Sequence, residues 1–253
     1  MSAALGLEEW RIVAIIVFFL FGGLVKGVTG FGLPLATVSL TPLVAPPDLA
    51  LALNTMVIPL TNAVQIAQGE RRREALRICL PVLLGMMLTV AMGAWIVASV
   101  SAQALGALLG ALLIIFTLTS FAAPSFRLPT RHGRRAGFGA GLLGGVMGAA
   151  LTAPGPIFVM YFVSLGMARK SLMTAVGICM FTVGIMVIAS YVWAGVLTGP
   201  RAIMSACAVI PALVGMWAGA RLARRMSVEA FHKAVLAVLL ALGVFHIVKA
   251  GLA

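Results

Sequence analysis

Lys26 is the residue with the most chemistry to offer, because it is a cation with apolar sequence well to both sides. An ammonium within a bilayer costs roughly 2.5–3.5 kcal/mol on insertion scales. Such a group either attracts an anion or snorkels to an interface. From Trp10, Lys26 is sixteen residues along the chain, about 24 Å of helix at ~1.5 Å per residue, which is too deep for easy snorkelling. It sits in a glycine-dense break, Phe21 to Pro34, whose following residues Thr29, Gly30, Phe31 and Gly32 complete a first candidate anion site. A second stretch, Gly141 to Pro156, repeats the spacing: Gly23, Gly27 and Gly30 match Gly141, Gly145 and Gly148, each 118 residues on. There the candidates are Thr152, Pro154 and Gly155. Glycine and proline at this density stop a helix, and a helix restarting beyond the break presents free N–H groups and a positive dipole end to an anion. The other reading of the glycines is close helix packing. That reading covers Gly23 and Gly141 above all, while for Gly30 and Gly155 both stay open.

Further polar candidates lie in apolar runs. Asn54, Thr61, Asn62 and Gln65 fall on one face of a helix over 49–68, facing either a cavity or neighbouring helices. Tyr191 is a weaker candidate in the second half. The acidic residues Glu8, Glu9, Asp48, Glu70, Glu74 and Glu229 all lie at segment ends or in loops, which argues against a cation site. His132, His232 and His246 do not cluster, and Cys79, Cys179 and Cys207 fit no metal spacing. An intramembrane enzyme needs a nucleophile with a base, or a metal cluster, so the expectation is a non-enzyme with no cofactor and no metal.

The elements that must position these residues are membrane helices. The chain is 62% hydrophobic and 9% charged, against about 25% charged in a soluble domain. Its net charge of +12 does not point to nucleic acid, because fourteen of the eighteen Lys and Arg lie in the short loops 69–77, 124–136, 167–171 and 221–233, the positive-inside pattern. The first residues carry Glu8 and Glu9 rather than a basic leader, and no cleavable signal is expected. Apolar segments predict a first repeat over 1–123, with a hairpin at 10–45 and spans at 49–68, 77–99 and 104–123. A basic cytoplasmic linker follows at 124–136. A second repeat over 137–253 has a hairpin at 137–166 and spans at 172–197, 203–225 and 229–251. If each broken pair enters and returns on one side, all four basic loops share a side, and the two halves, each with an odd number of crossings, have opposite orientation. The fold class is therefore an all-α polytopic membrane protein of two inverted repeats, each a broken-helix hairpin plus three transmembrane helices. Such repeats with interrupted helices are a transporter signature. Two echoes support the repeat: Pro81-x-x-x-Gly85-Met86 with Pro211-x-x-x-Gly215-Met216, and Gln65-x-x-x-Gly69 with Tyr191-x-x-x-Gly195.

The paired Gly-x-x-x-Gly-x-x-Gly breaks, the basic middle loop and the Pro-x-x-x-Gly echoes resemble the TauE/SafE family of sulfite exporters, the TSUP permeases, over essentially the whole chain. The second break departs from the run of glycines common in that family, reading Ala149-Ala150-Leu151-Thr152-Ala153-Pro154-Gly155-Pro156. The resemblance implies a bacterial inner-membrane permease that moves sulfite, sulfoacetate or another organosulfonate, with export as the direction. The residues themselves support an anion site in an inverted-repeat transporter, with a small carboxylate permease or an anion channel as the alternatives. The partners expected are a small anionic substrate and the lipid bilayer, with homo-oligomerisation left open.

The charge count places both termini in the periplasm. Single cysteines at Ser2 and Ala253, in a background without native cysteines, should therefore react with an impermeant thiol reagent in cells whose outer membrane is permeabilised, and one at Ser125 should not. The reverse pattern would overturn the inverted-repeat argument.

Overall fold

The computed structural model describes residues 8–122, 133–225 and 227–252. Within them the chain is all helical: α1 Glu9–Thr29, α2 Leu33–Leu40 with a 3-10 turn at Thr41–Leu43, α3 Pro47–Ala67, α4 Arg72–Ser99, α5 Ala102–Ala122, α6 Gly133–Leu151, α7 Gly155–Ser164, α8 Arg169–Trp193, α9 Gly199–Leu222 and α10 Val228–Leu252. Six of these, α1, α3, α4, α8, α9 and α10, are long and apolar enough to cross a membrane. Their outward faces are apolar: Leu88, Trp95, Trp193 and Ile210 are each more than 60% exposed, as expected where the solvent is lipid. The protein is thus a multi-pass membrane protein. Of the basic linker 124–136, residues 124–132 lie outside the described residues, and α6 has begun by Gly133.

The break is narrower than the glycine-dense stretch Phe21 to Pro34, because α1 runs through Gly22, Gly23 and Gly27 to Thr29 without interruption, and α6 likewise runs through Gly141, Gly144, Gly145 and Gly148 to Leu151. Only the second arms are short, eight residues in α2 and ten in α7, about 12 and 15 Å at ~1.5 Å per residue. Both fold back along their long arms. A Cβ at Gly22 would come within 2.7 Å of the Thr37 methyl group, and one at Gly137 within 2.5 Å of the Tyr161 hydroxyl.

The helices gather into two compact units. One comprises the described residues within 1–57, 99–123 and 197–253, and the other those within 58–98 and 124–196. Compactness divides the chain differently from the sequence repeat: each unit takes its broken pair from one half and that pair's principal partner helix from the other. In the first unit α1 lies backbone to backbone on α9. A Cβ at Gly23 or Gly27 would collide with the carbonyl of Ala212 or Met216, and one at Gly215 or Gly219 with the carbonyl of Leu20 or Leu24. In the second unit α6 lies on α4 in the same register. Gly141 abuts the Val82 carbonyl, Gly145 the Met86 carbonyl, and Gly85 the Phe138 carbonyl. The first two glycine matches, Gly23 with Gly141 and Gly27 with Gly145, are therefore packing contacts, built alike in the two units. The echoed Pro-x-x-x-Gly sequences place Gly85 and Gly215 at these contacts, and Pro81 and Pro211 each lie inside a helix, where a backbone N–H is missing.

Helix α3 begins in the first unit and continues, after Val57, in the second. Near that point a side chain of another helix bonds its backbone. Ser205 of α9 accepts the Met56 N–H at 3.0 Å and donates to the Leu53 carbonyl at 2.8 Å, and Pro59, just beyond, lacks a backbone donor.

Gly141→Val should lower stability by about 3 kcal/mol, near the top of the usual range for overpacking, because its Cβ meets backbone that cannot rotate away. Gly139→Ala on the same helix, where a Cβ meets nothing within 4 Å, should be neutral or stabilising by up to about 1 kcal/mol. Thermal unfolding in detergent checks both.

Candidate functional site

The first break is a short linker with two left-handed glycines. Gly30 follows the end of α1 at φ 89° and donates its N–H to the Lys26 carbonyl at 2.7 Å. Gly32 precedes α2 at φ 94°. Both conformations favour glycine. Thr29 spends its hydroxyl locally, within 2.9 Å of the Val25 carbonyl and 2.6 Å of the Phe31 carbonyl, so it clasps the break. Phe31 meets the His232 ring edge-on, with centroids 6.1 Å apart. Lys26 lies in the last turn of α1 and is 4% exposed. Among the described residues it is the one buried side chain of the Lys, Arg, Asp and Glu set. The negative end of the helix dipole favours a cation there.

The second break has the same plan displaced by one helical turn. Its helix runs on to Leu151, so Gly148, which spacing matches to Gly30, lies inside α6 with its Cα facing the Val183 side chain. The conformational counterpart of Gly30 is Thr152, at φ 51°. Pro154 then precedes α7 as Gly32 precedes α2, and its carbonyl accepts the N–H groups of Ile157 at 3.1 Å and Phe158 at 3.3 Å. Pro34 and Pro156, one in the first turn of each second arm, are 122 residues apart rather than 118. A β-branched residue at positive φ is a strained outlier. The Thr152 hydroxyl is also fully buried and has no hydrogen-bond partner among the described residues. Gly155 opens α7 at an ordinary φ, and a Cβ there would touch only the Met180 sulfur at 3.9 Å, so its backbone does not require glycine.

The other candidates sit in defined hydrogen bonds. Asn54, fully buried, accepts the Thr37 hydroxyl at 2.8 Å and donates to the Ala50 carbonyl at 2.9 Å, tying α3 to α2. Asn62 donates to the Ile58 carbonyl at 2.7 Å within α3. Gln65 donates to the Met173 carbonyl of α8 at 2.8 Å. Tyr191, fully buried, donates to the Ala149 carbonyl, one of the last-turn carbonyls of α6 that lack an intrahelical donor. Of the polar stripe on α3, Asn54 and Gln65 thus hydrogen-bond to other helices. The structure therefore brings Lys26, Thr29, Gly30, Phe31 and Gly32 together at one break. It brings Thr152, Pro154 and Gly155 together at the other, while Asn54, Gln65 and Tyr191 bond neighbouring helices and Asn62 bonds within α3. Sequence reasoning missed Ser205 and the Thr152 strain. A serine in an apolar run opposite a proline-containing helix was the available signal for the first, and nothing marked the second. Among the described residues no three His, Cys, Asp or Glu side chains converge.

Thr152→Gly should relieve the backbone strain and remove the orphan hydroxyl, terms of about 1–3 kcal/mol each. Glycine loses about 0.5–1 kcal/mol of that to added chain entropy. The expected net result is a protein at least about 1 kcal/mol more stable and impaired in transport. A Thr152→Gly protein less stable than wild type would show that the position is not strained.

Compared with protein-family models, the chain matches the family described as sulfite exporter TauE/SafE over residues 14–245, nearly its whole length, and so belongs to that family. No curated protein and no solved structure matches it.

Proposed function

We propose that this member of the TauE/SafE family is an inner-membrane permease for a small sulfur-containing anion, sulfite or an organosulfonate such as sulfoacetate. It works by alternating access between inverted repeats, with both termini in the periplasm and export as the direction. Membership makes it a transporter of the sulfite-exporter type; substrate, mechanism and sidedness are the proposal. The observation that carries the anion assignment is Lys26, a cation buried one turn before a break that two left-handed glycines hold open. A buried ammonium is stabilised by an anion brought to it. The chemistry at the second break supports this: an uncommitted hydroxyl at Thr152, and a helix start at Gly155, whose N-terminal N–H groups suit an anion. The alike packing of α1 on α9 and α6 on α4 supports a common ancestry of the halves, and the distribution of basic loops supports their opposite orientation.

Uptake of labelled sulfite, sulfoacetate and acetate into vesicles, with and without a proton gradient, tests the assignment. Transport of acetate in preference to both sulfur anions would move it to a carboxylate permease. Lys26→Gln should weaken sulfoacetate binding by about 30-fold or more, the usual consequence of losing one partner of a buried charge pair. Lys26→Arg should weaken it less, and neither should lower expression much. Calorimetry on purified protein reads this, and wild-type affinity in Lys26→Gln would make Lys26 structural. Gly155→Leu should fold, given the open space at its Cβ, and abolish uptake; normal uptake would remove Gly155 from the site.

A further inference from the structure

Two adjoining cavities in the first unit share the walls Pro42, Ala45 and Pro46 and the side chain of Lys249. One, of about 330 Å³, is otherwise lined by Pro47, Ala102, Gly106 and Ala250 with Gln103 and His246. The other, of about 310 Å³, reaches Trp10 and Arg11 at the start of α1. The polar groups around Lys249 are already committed. Gln103 donates to the Ala250 carbonyl at 2.5 Å, His246 Nε2 bonds the Ser39 carbonyl at 2.8 Å, and Arg11 stands 3.7 Å from the Glu8 carboxylate. Lys249 has no acidic partner among the described residues. It is also one of only three basic residues, with Arg11 and Arg201, that lie at segment ends away from the basic loops, and Arg201 is held by Asp48 at 2.7 Å.

We propose that these cavities hold an anionic phospholipid, its phosphate against Lys249 with Arg11 behind it and its apolar portion along the proline, alanine and glycine walls. The chemistry selects this occupant over a small oxyanion. A hydrated anion entering an apolar cavity with a single uncommitted cation would lose water without gaining enough donors. An amphiphile keeps its head at the charged mouth and buries only carbon. Trp10 at the rim is the residue type that settles where acyl chains meet headgroups. The site is separate from the breaks proposed to carry the transported anion, and the inference does not depend on that reading.

Trp10 is the reporter. In a variant carrying Trp95→Phe, Trp193→Phe and Trp217→Phe, all three being exposed side chains, Trp10 is the remaining tryptophan. Reconstituted into phosphatidylcholine vesicles, it should be quenched by dibrominated phosphatidylglycerol about fivefold more effectively than by dibrominated phosphatidylcholine, as about 1 kcal/mol per basic residue implies. Lys249→Gln should bring that preference to about one. Native mass spectrometry of the protein with its tryptophans intact should show retained phosphatidylglycerol that Lys249→Gln loses. Equal quenching by the two lipids, or a preference that survives Lys249→Gln, would overturn the site. Relief of quenching by millimolar inorganic phosphate would assign it to free phosphate and overturn the lipid.

Discussion

The contact on which the rest of this structure depends is a glycine Cα against a carbonyl of the neighbouring helix. Helices in lipid gain nothing from hiding apolar surface from one another, since the solvent is as apolar as they are. They associate through close dispersion contact, and that requires removing side chains from the seam. Gly23, Gly27, Gly215 and Gly219 do this between α1 and α9, and Gly85, Gly141 and Gly145 between α4 and α6. With no Cβ on either side, backbones approach to van der Waals distance and the long arm of each broken pair is fixed against a full-length helix. The short arm is then carried on a rigid support. Irregular backbone at membrane depth persists only where protein or a polar cavity covers it, so the breaks presuppose these seams.

Within that frame the two breaks are unequal. The first is relaxed, with glycines at both left-handed positions and the Thr29 hydroxyl closing on its own linker. The second places threonine where the first has glycine and leaves its hydroxyl unmatched. The long helix of the second pair runs four residues, about one turn, further past its seam glycines than that of the first, so the seams keep the same register while the break moves along the axis. Two pairs that share their packing in this way still differ at the break itself, where the second carries a strained threonine.

Much of this was legible in the sequence because membrane helices announce themselves by apolar length and charge placement. Segment positions from 49–68 to 229–251 fall within a few residues of α3 to α10, and the Gly-x-x-x-Gly spacing carried the seams directly. The break geometry was less legible. A spacing of 118 aligned Gly148 with Gly30, yet no local signal says whether a glycine ends a helix or packs within it; only the length of the helix decides. Side-chain ties were least legible of all. Asn54, Gln65 and Tyr191 carry the same polar atoms whether they face a substrate or a carbonyl of the next helix, and the choice depends on neighbours remote in sequence. Ser205, which bonds residues some 150 positions away, is the extreme case.

That serine gives the backbone of α3 a partner outside its own helix. Ser205 accepts the Met56 N–H and donates to the Leu53 carbonyl, and Pro59 withholds one backbone donor a turn later. A helix is cooperative because each rung is fixed by the ones before it, and a missing N–H removes one rung. The turn that precedes the proline is therefore anchored sideways, by a hydroxyl of α9, as well as along its own axis.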